Sequence, residues 1–298
     1  MYLSTTTSIM KNVWGETKKY SVPEAIQALK EAGYDRADVS LWTMSGKGDV
    51  MASDNWESVI AKIAEASAKY SLPVHQTHGN TASGMEWDDP AYDWDHLTLT
   101  NLRNIRATAM LGGKWMVVHP MNLPRDPLYS AEKAKAANLV YLAPYIEEAK
   151  KCGIGLAVEN MVDFRKWRRR YCGGDIFELI DLVDTINDPS VGICLDTGHA
   201  NLAGIDVGAA IREIGPRLKA THINDNRDNG NDEHLFPYFG TVDWKDAMRA
   251  FAETGYDGDF AYEAGSQRIP SAARGFWLKY TAELGRHLLS LADGNAQQ

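Results

Sequence analysis

Six reactive side chains, His78, His119, Glu159, Asp196, His222 and Glu263, each follow a short apolar run; His199, Asp232 and His234 stand a few positions further on. Imidazoles and carboxylates are the side chains that ligate divalent cations and move protons near neutral pH. The stretch Ile193-Cys194-Leu195-Asp196-Thr197-Gly198-His199-Ala200 carries the pattern most clearly. Val191, Ile193 and Leu195 come without polar alternation, so this strand reads as covered on both faces, with Asp196 and His199 where strand becomes loop. A charged group at the end of a buried strand is costly unless paired or metal-bound, and gathered carboxylates repel one another. A divalent cation relieves both problems. Glu159, Asp196, His222 and Glu263 form a mixed nitrogen and oxygen set that suits one Mn2+, Mg2+, Co2+ or Zn2+ ion without choosing among them.

The elements that must position these groups alternate in type along the chain. Strands are expected at 2–9, 36–42, 73–78, 115–118, 155–158, 191–196, 218–223 and 259–262. Helices are expected at 21–33, 55–70, 95–111, 131–152, 175–186, 206–214, 243–254 and 271–291. Ser21-Val22-Pro23-Glu24 reads as a capping box, and Gly33, Gly112 and Gly153 read as helix stops. Eight strand-then-helix units predict an α/β fold, a single (β/α)8 TIM barrel domain over residues 1–298. A doubly wound open sheet would call for a glycine-rich phosphate loop after an early strand, and neither GxGxxG nor GxxxxGK occurs. The longest irregular segments, 43–54, 79–94, 161–174 and 225–241, all follow strands, on the catalytic face of such a barrel.

Composition narrows the function classes. Forty acidic against 31 basic residues leave a net charge of -9, which argues against a nucleic-acid partner. No apolar run is long enough to span a bilayer, so no membrane partner is expected. The N-terminal residues lack the charged and apolar regions of a signal peptide. Cys152, Cys172 and Cys194 form no CxxC pair, which points to reduced thiols and a cytoplasmic location. No motif calls for an organic cofactor.

Plainer readings apply to other residues. His75 falls on the opposite face of its strand and is expected to be packed or at the surface; His96 and His287 lie on helices and are expected to be solvated. Asp232 sits in a polar loop that would carry acids in any case, and His119 precedes Pro120, where a turn residue bonded to backbone is the bland alternative.

The motifs Val158-Glu159-Asn160, Leu195-Asp196-Thr197-Gly198-His199-Ala200, Thr221-His222-Ile223-Asn224-Asp225 with Asp232-Glu233-His234, and Tyr262-Glu263 resemble those of the xylose isomerase-like TIM barrels. That superfamily holds sugar-phosphate isomerases and epimerases, ketose 3-epimerases, inosose enzymes and endonuclease IV. The resemblance implies that Glu159, Asp196, His222 and Glu263 hold one divalent metal and that His199 holds a substrate oxygen. It implies an isomerase or epimerase of a sugar or sugar phosphate, working by metal-assisted proton transfer through an enediolate. Glu159 and Glu263, on strands five and eight, are then the acid/base pair. His234 joins His199 on the enediolate oxygen, and His78 and His119 are further substrate-binding candidates. Trp14, Trp42 and Trp87 are candidates for the pocket wall, while Trp115, at a strand start, is expected in the core. The run Arg165-Lys166-Trp167-Arg168-Arg169-Arg170 follows strand five, where Arg165 is a candidate for a substrate phosphate or carboxylate; a partner surface and a solvated loop stay open. Ketose 3-epimerases carry a second glutamate where this chain has Arg165, and their arginine after the strand-seven histidine is not matched at Asp228. The implied partner is a small carbohydrate, and a homo-oligomer is compatible with the fold.

Two other activities use the same residues. His78, His119, Glu159, Asp196, His199, His222, Asp232, His234 and Glu263 match the nine-ligand trinuclear zinc pattern of endonuclease IV, which would make the chain a phosphodiesterase on abasic DNA. A metal-dependent lyase or dehydratase on a keto-sugar or inosose would draw on the same acidified C–H bond.

Overall fold

The structure, a computed structural model, describes residues 1–10, 20–82, 86, 89–123, 129–162, 170–265 and 269–292. Strands β2 (Ala37–Ser40), β3 (Val74–His78), β4 (Trp115–Val118), β5 (Gly155–Glu159), β6 (Val191–Asp196) and β7 (Leu218–His222) form one parallel sheet in that order. Strand β1 (Tyr2–Thr5) pairs in parallel with β8 (Asp259–Tyr262). Single parallel bridges join the two sheets at both edges, Thr6 with Asp38 and Ile223 with Tyr262.

Most of the described helices start on a side-chain cap. Helix α1 (Val22–Ala32) opens on the expected box, with the Ser21 hydroxyl accepting from Glu24 N and the Glu24 carboxylate accepting from Ser21 N. It closes on Gly33 at φ 100°, a left-handed conformation that glycine adopts without penalty. Helices α2 (Trp56–Tyr70), α3 (Trp94–Met110), α4 (Ala131–Cys152) and α5 (Ile176–Ile186) follow β2 to β5 in turn. Helices α6 (Thr197–Leu202) and α7 (Val207–Ile214) follow β6, and α8 (Trp244–Thr254) and α9 (Ser271–Ala292) follow β7 and β8. No described helix is long and apolar enough to cross a membrane.

Every residue of β6 is buried because the two faces of the sheet serve two cores. Met116, Val118, Leu156, Val158, Ile193 and Leu195 pack in the large core with helix residues such as Leu142, Leu179 and Ile211. The alternate positions Val117, Ala157, Cys194 and Ala220 form a separate small cluster on the inner face, with Trp115 packed against it as expected. Two residues further along these strands, with the same parity, stand His119, Glu159, Asp196 and His222. Alternation thus delivers the reactive groups to the inner face, at the C-terminal ends of the strands.

Three local expectations are corrected. The first strand ends at Thr5 and the second at Ser40, each running into a short 3-10 turn (Thr7–Met10 and Leu41–Met44). Hydroxyls take over backbone groups there: Ser40 N donates to Thr7 Oγ1 at 3.1 Å, Ser8 N donates to Ser40 Oγ at 3.2 Å, and the Thr6 and Ser40 hydroxyls bond each other. His199 is not in a loop. Asp196 caps α6 directly from the end of β6, its Oδ1 accepting from His199 N at 2.7 Å.

Candidate metal centre

Among the described residues, four overlapping groups of histidines and carboxylates bring one ligand atom from each member within 4.8 Å of the others. Glu159, Asp196, His222 and Glu263 form one; His78, His119 and Glu159 form a second; His78, His222 and Glu263 a third; His199, Asp232 and His234 a fourth. Glu159 stands at the middle. Its Oε1 lies 2.8 Å from His222 Nδ1 and 3.8 Å from His199 Nδ1, and its Oε2 lies 3.1 Å from His119 Nε2 and 3.5 Å from His78 Nε2.

Orphaned atoms test whether a cation fits. Glu159 Oε2, which faces His119 and His78, is buried without a hydrogen bond, and so is Asp232 Oδ1. Close nitrogen and oxygen atoms with no hydrogen bond between them leave lone pairs facing a common point. A tetrahedral cation with ligands at about 2.1 Å holds its donors about 3.4 Å apart. His222 Nδ1 to Glu263 Oε2 is 3.3 Å, and His199 Nε2 to Asp232 Oδ2 is 3.4 Å. The donor set therefore suits a divalent cation.

The carboxylates of the cluster favour the protonated form of the imidazoles beside them. Burial would lower the His222 imidazolium, yet Cys194, Glu159 and Glu263 hold it well above the usual range. Since burial pushes the Cys194 thiol up to about 12, it is neutral at pH 7 and the carboxylates carry this effect. His199 is likewise held high against burial, by Asp196 and Asp232. His234 is pushed up to about 10, Asp232 outweighing burial. Glu159 is held far below the carboxylate range by His222 and His119, despite a burial that works the other way. Burial pushes Asp196 up to about 6 against the opposing pull of His199. Protons occupy positions that a metal would take.

A polar shell holds the ligands in place. Asn160 clamps Asp196, its Oδ1 accepting from Asp196 N at 2.6 Å and its Nδ2 donating to Asp196 O at 3.0 Å. Asn224 Nδ2 donates to Asp196 Oδ2 at 2.7 Å. His234 adopts φ 45° and is held there as its Nδ1 meets Glu263 O at 2.8 Å. The loop that carries it is anchored on the buried Asp225, whose Oδ1 accepts from Thr241 N and whose Oδ2 accepts from Trp244 Nε1. Asn160, Asn224 and Asp225 stood in the sequence motifs without an assigned role; their carboxamide or carboxylate chemistry beside each ligand was the available signal.

Gly198 belongs to this shell through what it lacks. A Cβ there would meet Asn224 Oδ1 at 1.8 Å. Gly198→Ala is expected to displace Asn224 from Asp196 and weaken divalent-metal affinity about 10- to 100-fold, as losses of groups behind metal ligands do. Competition with a chromogenic chelator measures it, and unchanged affinity would refute this role for the glycine.

A cavity of about 750 Å3 opens beside the cluster, lined by Trp42, Asp232, His234, Phe236, Glu263 and Trp277 among others. Trp42 and His234 thus line the space in which a substrate would bind, while His78 and His199 lie deeper, nearly buried. Arg227 also lines this cavity, 2.5 Å from Glu233 Oε1, one position before the site where sequence reading found Asp228 in place of an arginine. Trp14, Trp87 and Arg165, with the basic run 165–169, lie outside the described residues. His75 is half-buried with Nδ1 3.4 Å from Asp259 Oδ1, and His287 is exposed, both as expected. His96 is not simply solvated, since its Nε2 lies 2.7 Å from Ser45 O.

Comparison with known proteins places this geometry. A ketose 3-epimerase of Arthrobacter globiformis is 24% identical over 287 residues, 92% of this chain and 91% of that protein. An uncharacterised protein of Methanocaldococcus jannaschii is 30% identical over 171 residues, and the match spans 56% of either chain. The crystal structure of a D-tagatose 3-epimerase-like protein superposes with a TM-score of 0.75 at 20% identity, covering 99% of both chains. Residues 26–285 match the model of one family over most of the length. The chain belongs to the xylose isomerase-like TIM barrel family.

Proposed function

We propose that this protein is a divalent-metal-dependent sugar epimerase or isomerase, a single domain whose two sheets close as one (β/α)8 barrel around the site. The observation that carries the reading is the convergence of Glu159, Asp196, His222 and Glu263 beside a cavity large enough for a sugar. The similarity to a ketose 3-epimerase over nine-tenths of the chain supports it.

On this reading Glu159, Asp196, His222 and Glu263 hold one ion, which when bound supplies Lewis-acid polarisation of a carbonyl and so acidifies the adjacent C–H. Glu159 and Glu263 stand on β5 and just beyond β8, and serve as the acid/base pair. One carboxylate takes the proton from carbon, leaving an enediolate, and a carboxylate returns a proton to the opposite face or to the neighbouring carbon, so the sum is proton-neutral. His199 and His234, whose protonated forms Asp196 and Asp232 favour, serve as hydrogen-bond donors to the developing oxyanion. Trp42 stacks on sugar C–H faces, and Arg227 is the described cavity cation suited to a hydroxyl or phosphate. His78 and His119 hold the Glu159 carboxylate from its other side and reach substrate from there. Three free cysteines fit a cytoplasmic protein.

The test is incubation of metal-loaded protein with ketoses and ketose phosphates in deuterium oxide, read by proton NMR. Deuterium entering carbon adjacent to the carbonyl supports the reading, and no exchange with any member of the panel refutes it.

A second reading draws on the His78–His119–Glu159 and His199–Asp232–His234 groups, which would hold two further ions for phosphodiester hydrolysis. Elemental analysis separates the two. About one ion per chain accords with the sugar enzyme; about three zinc ions with nicking of abasic DNA accord with the hydrolase.

A further inference from the structure

Resting on the metal-binding reading above, we infer that Asp38 and Gln76 are positioning residues that fix the tautomer and orientation of His222. His222 carries two ring nitrogens with different surroundings. Nδ1 faces the ligand set, 2.8 Å from Glu159 Oε1 and 3.3 Å from Glu263 Oε2. Nε2 points away from it, is buried and has no hydrogen-bond partner. The carboxylate oxygen facing it is Asp38 Oδ2 at 3.6 Å, about half an ångström beyond hydrogen-bond reach.

Asp38 has few other uses. It lies on β2, is 1% exposed, and its Oδ1 has no hydrogen-bond partner. Asp259, nearby, repels it, and the cation at that end of the strands, Arg36, bonds Asp259 at 2.7 Å. A buried carboxylate with no arginine or lysine bonded to it is a liability in a purely structural role. Gln76 explains why it stays where it is. Gln76 Nε2 donates to Asp38 Oδ2 at 2.8 Å and to Thr221 O at 3.1 Å, while Gln76 Oε1 accepts from Thr221 N at 3.3 Å. Thr221 is the residue before His222. The glutamine is therefore fastened to the backbone that carries the histidine, and it holds the carboxylate at that histidine's far nitrogen. His78 stacks on the His222 ring, centroids 5.1 Å apart and planes 4° apart, which fixes the ring plane and leaves the 180° flip about Cβ–Cγ for Asp38 to settle.

The chemistry follows from proton count. A neutral imidazole has one N–H, and a metal ligand must present a lone pair. With the proton on Nε2 held toward Asp38, Nδ1 keeps its lone pair toward Glu159 and Glu263. With the proton on Nδ1, it would donate to Glu159 and block the site. Carboxylates that orient a ligating histidine in this way change metal affinity 10- to 100-fold when removed.

The experiment measures Mn2+ and Zn2+ dissociation constants by chelator competition for the wild type, Asp38→Asn and Gln76→Met, with the melting temperature of each metal-free protein. Asp38→Asn keeps the volume and removes the charge. The expected result is a 10- to 100-fold weaker constant, with metal-free stability unchanged or raised. Gln76→Met, which frees Asp38, is expected to weaken binding several-fold in the same direction, and it carries the test if Asp38→Asn does not fold. Nitrogen NMR of His222 in the metal-bound wild type should report the Nε2-protonated tautomer. If wild type and both variants bind metal equally, this inference fails and the metal site stands. If the wild type binds neither ion, both fall together.

Discussion

Glu159→Gln is expected to lower the rate of solvent-deuterium exchange into a ketose by about 10^2- to 10^4-fold, the range that loss of a proton-transfer group spans. Four imidazoles approach this carboxylate within 3.8 Å, from His222, His119, His78 and His199. An amide is nearly the same size, but it replaces an acceptor with an N–H donor and removes the charge that holds His78 and His222 in their raised state. The variant should therefore lose both the base and a metal ligand. Exchange rate and metal content measured on the same preparation, with circular dichroism to establish folding, give the answer. Exchange at the wild-type rate would exclude Glu159 from the chemistry.

The second large effect is the pH dependence of metal stabilisation. In the metal-free protein His234 has a folded value near 10, above the unfolded imidazole. Its contribution to stability is complete below about pH 6.5 and is lost as pH rises through 10. Burial pushes Asp196 and Asp259 up to about 6. A carboxyl raised in the fold likewise contributes below the unfolded value of about 4 and loses that contribution as pH rises through 6. Glu159 works in the opposite sense: held low by His222 and His119 although burial raises it, it contributes above about pH 4.5 and loses that as pH falls further. From pH 6 to 10 the metal-free protein should thus weaken. Metal binding, which needs neutral imidazoles and ionised carboxylates, strengthens over the same window. At a metal concentration about 1,000 times the dissociation constant the gain is about 4 kcal/mol. That corresponds to a melting-temperature increase of about 8–16 °C at pH 8, and less than half of it at pH 5.5. Calorimetry in buffers of different ionisation enthalpy should register release of at least about one proton per ion. A larger stabilisation at the acid end would show that the cluster holds protons for some other purpose.

Much of this is legible in the order of residues alone. The apolar runs that end in Glu159 and Asp196 identify strands by length and residue type, and the caps at Ser21, Asp243 and Gly153 identify helix ends, because both are local effects. The gathering of candidate ligands was legible for a related reason: a charged residue at the end of a buried strand has few uses other than chemistry. Trp42, a candidate for the pocket wall, does line the cavity, whereas the place of Arg227 beside it was harder to read, since it depends on which way a loop folds over the inner face.

Asp38 and Gln76 mark the boundary. Asp38 alternates with Ser40 between the apolar Ala37 and Val39, and that pattern reads as an ordinary strand with one polar face. Only the parallel pairing of β2 with β3, and the meeting of Gln76 with Thr221 on β7, turn that face inward beneath His222. Residues 38, 76 and 222 are far apart in the chain, so no spacing rule links them. The order of residues determined which strands end in a candidate ligand, because alternation and capping act over a few positions. The tertiary structure decided which buried partner each ligand faces, because contacts between non-neighbouring strands are set by sheet register and curvature.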